Sequence, residues 1–89
     1  MAEYLYDEVT VDGKNYICVK IDADVLNDNA KGVEIEGILK KHFVNSSVLL
    51  VFPNNLGRVD RLIDNKGLLT SEQFIRLQAI FLDWKTVNL

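Results

Sequence analysis

The chain has 89 residues, of which 48% are apolar and 26% charged, a balance that fits one folded domain over residues 1–89 and excludes a disordered segment. Its formal net charge of −3 speaks against nucleic-acid binding, because such domains are usually basic with clustered lysine and arginine. A single cysteine, Cys18, and a single histidine, His42, exclude an internal disulfide, a multi-cysteine zinc site and a pair of histidine ligands.

The first element is a β-hairpin. Residues 3–11 and 14–21 are rich in Tyr, Val, Thr and Ile and flank Asp12-Gly13, a dipeptide suited to the two positive φ angles of a type I′ turn. That turn sets Val9 opposite Tyr16, Asp7 opposite Cys18 and Leu5 opposite Lys20 on one side of the sheet. Ile17, Val19 and Ile21 lie on the other side, opposite Glu8, Tyr6 and Tyr4. The second side is the better core face, yet Leu5, Val9, Val11 and Tyr16 leave the first side far from polar.

Residues 22–29 read as a loop with cap-forming Asn27, Asp28 and Asn29. A helix over about residues 30–43 follows, with Ile35, Ile38, Leu39, His42 and Phe43 on one arc. Gly32 and Gly37 weaken it, since interior glycine costs about 1 kcal/mol relative to alanine. Ser47 to Phe52 is a short apolar run stopped by Pro53, which predicts a central strand buried on both faces. Residues 56–66 support two readings. Leu56, Val59, Leu62 and Ile63 share a helical face, but Asp64-Asn65-Lys66-Gly67 is a good turn with a glycine bulge, and the balance tips slightly to a strand and a second hairpin. Thr70 with Gln73 three residues on forms a capping-box pattern, predicting a helix from Ser71 to about Thr86.

Strands and helices in this order predict an α+β, two-layer sandwich: an N-terminal β-hairpin and a small, mainly antiparallel sheet packed against two helices. On the last helix, Phe74, Leu77, Ile80, Phe81 and Trp84 form the broad arc expected to face the sheet. A second ridge, Ile75, Ala79 and Leu82, remains. One stripe is enough for a surface helix, so the ridge is either covered by the chain's own loops and tail or offered to a partner. The same logic adds Leu5, Val9 and Tyr16 of the hairpin as a second candidate contact surface.

Charge is unevenly distributed. Residues 1–30 hold seven acids against two bases, and residues 31–89 hold six acids against eight bases, every arginine among them. Arg58 and Arg61 are therefore candidates for contact with an anion or with an acidic partner, including the acidic half of a second copy.

Other chemistry finds little footing. An EF-hand loop starting at Asp22 would place Leu26, Asn27 and Val33 where a ligand, the glycine and the bidentate glutamate belong. The glycines match no phosphate-binding spacing. No catalytic residue, metal site or cofactor is expected, and Cys18 reads as a small buried hydrophobe. The lone cysteine, the absence of a long apolar run and a start lacking the basic-then-apolar pattern of a leader suit a cytoplasmic protein. The functional expectation is a protein–protein interaction module, a homodimer or higher homo-oligomer, acting as a regulator, inhibitor or accessory subunit. The alternative is a small-ligand or nucleotide-binding domain with Arg58 and Arg61 holding an anion; nucleic-acid binding stands third.

Overall fold

The computed structural model describes residues 2–89. The predicted hairpin is present as β1 (Glu3–Val11) and β2 (Lys14–Lys20). Its register pairs Val9 with Tyr16, Asp7 with Cys18 and Tyr6 with Val19. Asp12 and Gly13 both take positive φ, 52° and 79°, as a type I′ turn demands.

From β2 the chain enters a short helix, α1 (Ala23–Leu26), and then α2 (Asn29–His42), with Asp22 and Asp28 accepting N–H groups at the two N-termini. Each cap satisfies donors that the first helical turn leaves without partners. At Gly32 α2 lies close against the sheet: a Cβ there would sit 3.3 Å from Leu50 Cδ1. His42 ends the helix exposed, with its ring edge-on to Phe43 at 4.6 Å; it is not the half-buried residue that the helical wheel suggested.

The chain then forms β3 (Ser47–Pro53), parallel to β2, and β4 (Val59–Ile63), antiparallel to β3 with a register shift at Phe52/Pro53. Strand thus prevails over helix in residues 56–66. The second hairpin, however, closes backwards onto β3 through residues 54–58. The Asp64–Gly67 turn leads into a loop, where the Asp64 carboxylate accepts the N–H groups of Leu68 and Leu69.

The last helix, α3 (Ser71–Gln78), opens with the capping box between Thr70 and Gln73 and is half the expected length. Beyond Ala79 the chain extends and becomes β5 (Lys85–Asn88), which pairs antiparallel with β1. Two influences favour this over continued helix. Thr86 and Val87 are β-branched and suit a strand, and the pairing satisfies backbone groups on the otherwise open edge of β1. The Asp7 carboxylate fixes the junction by accepting the Asp83 N–H and the Lys85 ammonium, both at 3.1 Å.

The result is a five-stranded sheet in the order β4-β3-β2-β1-β5, mainly antiparallel and of the α+β class. Two-layer packing does not hold. Side chains alternate across each strand, and both sets are buried. Ile17, Val19, Val48 and Leu50 pack with Val25 of α1 and Leu39 of α2. Tyr16, Cys18, Leu49 and Val51 pack on the opposite side with Leu77 of α3 and Leu82. Helices therefore cover both faces of the sheet. This division accounts for the hairpin's two apolar sides, which a thin two-layer domain left unexplained.

Candidate docking face

The turn between β3 and β4 is held by local bonds. Asn54 Oδ1 accepts the N–H of Leu56 at 2.9 Å and of Arg58 at 3.2 Å, and the Asn54 N–H donates to the Arg58 carbonyl at 2.8 Å. Gly57 supplies the positive φ, 78°, that such a tight turn needs. Leu56 is consequently lifted to the tip and is 71% exposed.

The segment after α3 comes to rest against this turn. Leu82 donates its N–H to the Gly57 carbonyl at 3.1 Å, and Phe81 forms an isolated antiparallel bridge with Arg58. Leu82 turns into the core, while its neighbour Phe81 stays 63% exposed. The Arg58 guanidinium lies over the Phe81 ring with Cζ 4.3 Å from the centroid, within the range of a favourable cation–π contact. Among the described residues, Arg58 Nε is the one buried side-chain polar atom without a hydrogen-bond partner, and no carboxylate pairs with Arg58 or Arg61.

The pleat fixes where these two arginines point. Val59 packs on the α3 side, so Arg58, one residue earlier, turns to the other face. Arg61 stands opposite Phe52, whose ring packs in the α2-side cluster. With the register shift absorbing one residue between them, Arg58, just before β4, and Arg61, within it, turn to the same α2-side face. The pair singled out from sequence is thus brought onto one surface.

The six residues expected to form an apolar contact surface are dispersed. Val9, Tyr16 and Leu82 are buried in the core beneath α3, and Leu5 is half-buried. Ile75 is 64% exposed on α3, and Ala79 is exposed at its C-cap. The ridge fails as a unit because the helix stops before reaching Leu82. Phe81, assigned to the sheet-facing arc, and Leu56, which shares a helical face with Val59, Leu62 and Ile63 in one of the two readings of its segment, are instead exposed, as are Val33 and Val44. Pro53, Asn54, Asn55 and Gly57 around Leu56, all turn-forming residues, were the available sign that it sits on a turn.

Several of the other polar groups are engaged in structural contacts. Asp12 accepts from Gln73 Nε2 at 3.1 Å and Arg76 Nη2 at 2.6 Å, pinning the first hairpin to α3. The Gln73 hydrogen bond foremost, and Arg76 with it, hold the Asp12 carboxyl below its ordinary value. The bond to Asp7 raises the Lys85 ammonium above its ordinary value. Burial, aided by the negative charge of Asp7, pushes the Cys18 thiol up to about 12, which keeps it protonated and unreactive near neutral pH. In the groove beside α2, Glu36 pairs with Lys66, and Lys40 donates to the carbonyls of Val44 and Ser46. The cleft between β4 and α3 contains Asp64, whose two carboxylate oxygens are both engaged in the following loop. Among the described residues no group of His, Cys, Asp and Glu is arranged to hold a metal ion, and no helix is long and apolar enough to cross a membrane.

Compared with protein-family models, curated proteins and solved structures, the chain matches none of them.

Proposed function

We propose that this chain is a small protein–protein interaction module that self-associates and serves as a regulator, inhibitor or accessory subunit in the cytoplasm. The observation that carries the reading is that Leu56 and Phe81, 71% and 63% exposed, stand on the two segments joined by the Leu82–Gly57 hydrogen bond, with the unpaired guanidinium of Arg58 over the Phe81 ring. Large apolar side chains gathered on a surface favour a contact with another molecule. An arginine already held on an aromatic ring loses little further freedom when it binds. The buried, protonated Cys18 suits a reducing compartment.

Sedimentation velocity on the purified chain, from low to high micromolar concentration, tests this reading. A mass that rises with concentration, and returns to monomer in Leu56→Ser/Phe81→Ser, is the expected result. A constant monomer mass across the series contradicts self-association. The placement of Arg58 and Arg61 on one face of β4 also supports a second reading, an anion-bearing small ligand or nucleotide. A panel of nucleotides and phosphorylated metabolites that leaves the melting temperature unchanged would dispose of it, since a specific ligand stabilises the fold by mass action.

A further inference from the structure

The surface that carries Arg58 and Arg61 has an acidic neighbour. The Ile21 N–H bonds to the Val51 carbonyl at 2.9 Å, so the chain leaves β2 and enters α1 beside the last residues of β3. Val25 of α1 packs in the same cluster as Phe52, which places α1 on the α2-side face, the face of β4 from which both arginines project. Asp22 and Asp24 are exposed there, and Asp28 is half-buried at the start of α2. Asp22 and Asp28 accept backbone N–H groups as caps, and Asp24 has no hydrogen bond or ion pair among the described residues. Lys31, exposed on the first turn of α2, is the one cation on this acidic stretch.

One end of a single face thus presents an acidic block and, across the ends of β3 and β4, a basic block of two arginines with Asp60 between them in sequence, and among the described residues the two blocks form no ion pair. Such a surface is complementary to itself. A half-turn about an axis between the blocks sets each against its opposite on a second copy, the arrangement of an isologous twofold contact. We propose that a second copy of this chain docks here about a twofold axis, with Arg58 and Arg61 of each copy facing the Asp22–Asp28 segment of the other and Leu56 and Phe81 supplying apolar contact. The proposal rests on the self-association reading above and specifies its geometry. The second copy is favoured over an unrelated acidic protein because the chain carries the complementary charge itself, concentrated in residues 1–30 with seven acids against two bases.

A charge exchange in the full-length chain tests it by sedimentation. Arg58→Glu/Arg61→Glu sets acid against acid at both halves of the contact, and Asp24→Lys sets base against base. Each variant alone should self-associate about tenfold or more weakly than the unmodified chain, because juxtaposed like charges are costly at an interface. Mixed in equal amounts, the two should recover the dimer mass, since both halves then pair opposite charges. Raising the salt concentration should weaken the unmodified dimer and the mixed dimer alike. Arg61→Glu with Asp24→Lys provides the same exchange if the Arg58 substitution prevents folding, because Arg61 is exposed and its side chain makes no hydrogen bond among the described residues. Recovery in the mixture establishes the twofold charge pairing, and its absence overturns it. A dimer that survives both charge variants unchanged but is lost in Leu56→Ser/Phe81→Ser overturns the charge pairing while leaving the interaction module standing. A chain that is monomeric throughout removes both.

Discussion

The sheet has two hairpin tips, and they differ in what the last third of the chain brings to them. At the β1–β2 tip, α3 arrives with Gln73 and Arg76, and the Asp12 carboxylate takes a hydrogen bond from each. At the β3–β4 tip, the segment after α3 arrives with Phe81, so Arg58 gains an aromatic ring and no counter-charge. Both turns are sound in themselves, one through Asp12-Gly13 and the other through Asn54 and Gly57. The first tip has its charge and hydrogen bonds satisfied within the chain. The second has an unpaired guanidinium, a buried nitrogen without an acceptor and two exposed apolar side chains, so its requirements point outward.

The packing beneath both tips sets the scale for breaking this contrast. Leu77 of α3 and Leu39 of α2 are fully buried on opposite faces. Substituting either by alanine should cost about 2–5 kcal/mol in urea unfolding. Comparable losses are expected, because each leucine lies in the core of its own face; a negligible loss at Leu77 would show that α3 does not cover its face. Next in size is Asp7→Ala, which strips the Asp83 N–H and the Lys85 ammonium of their acceptor and should cost about 1–3 kcal/mol. Hydrogen exchange should quicken first at the β5 amides, since the clasp at their start is gone; uniform quickening across the sheet would contradict a local role for Asp7. Smaller still is Arg58→Met, which keeps the apolar contact with Phe81 and removes an orphaned polar atom. Stability should stay within about 0.5 kcal/mol of the original, and a larger loss would mean that Arg58 serves the fold rather than a partner.

The pH dependence is the finest probe. The Asp12 carboxyl lies below its ordinary 3.8 in the folded chain, so its contribution is present above that value and fades as pH falls through the lower folded value. Lys85 lies above its ordinary 10.5, so its contribution is complete below that value and fades as pH rises through the higher folded one. Both groups are solvent-facing and their contributions are small. Asp12→Asn should flatten only the acid limb of the stability curve, and Lys85→Met only the alkaline limb. An acid limb unchanged by Asp12→Asn would mean that the first tip is not held by charge.

Local chemistry made the hairpin, α2, β3 and the capping box legible in the sequence, because turn residues, caps and a continuous apolar run each act over a few positions. The register across Asp12-Gly13 followed from turn type alone. What escaped was tertiary. Phe74 to Trp84 keep an apolar helical pattern, and nothing in that pattern reveals that β1 has a free edge for Thr86 and Val87 or that Asp7 waits for the Asp83 N–H. Once the helix ended at Gln78, Leu82 became core, Phe81 became surface, and the supposed ridge through Ile75 lost its continuity. The apolar back of the hairpin was read as a second contact surface for a partner, but Val9 and Tyr16 lie in the core beneath α3, which supplies the cover. Arg58 and Arg61 were legible as unusual cations by their position in the basic half; their shared face depended on the shift at Phe52/Pro53, which no local signal announces.

In the proposed dimer the β3–β4 tip and the neighbouring α1 form the surface that meets the second copy. Backbone amide NMR spectra of the uniformly labelled chain, recorded over a dilution series, test it most directly. Concentration-dependent shifts are expected at Leu56, Arg58, Arg61, Phe81 and Asp24, with the amides around Asp12, Gln73 and Arg76 unmoved. Shifts centred on the first tip or on Ile75, or spectra that do not change on dilution, would contradict it.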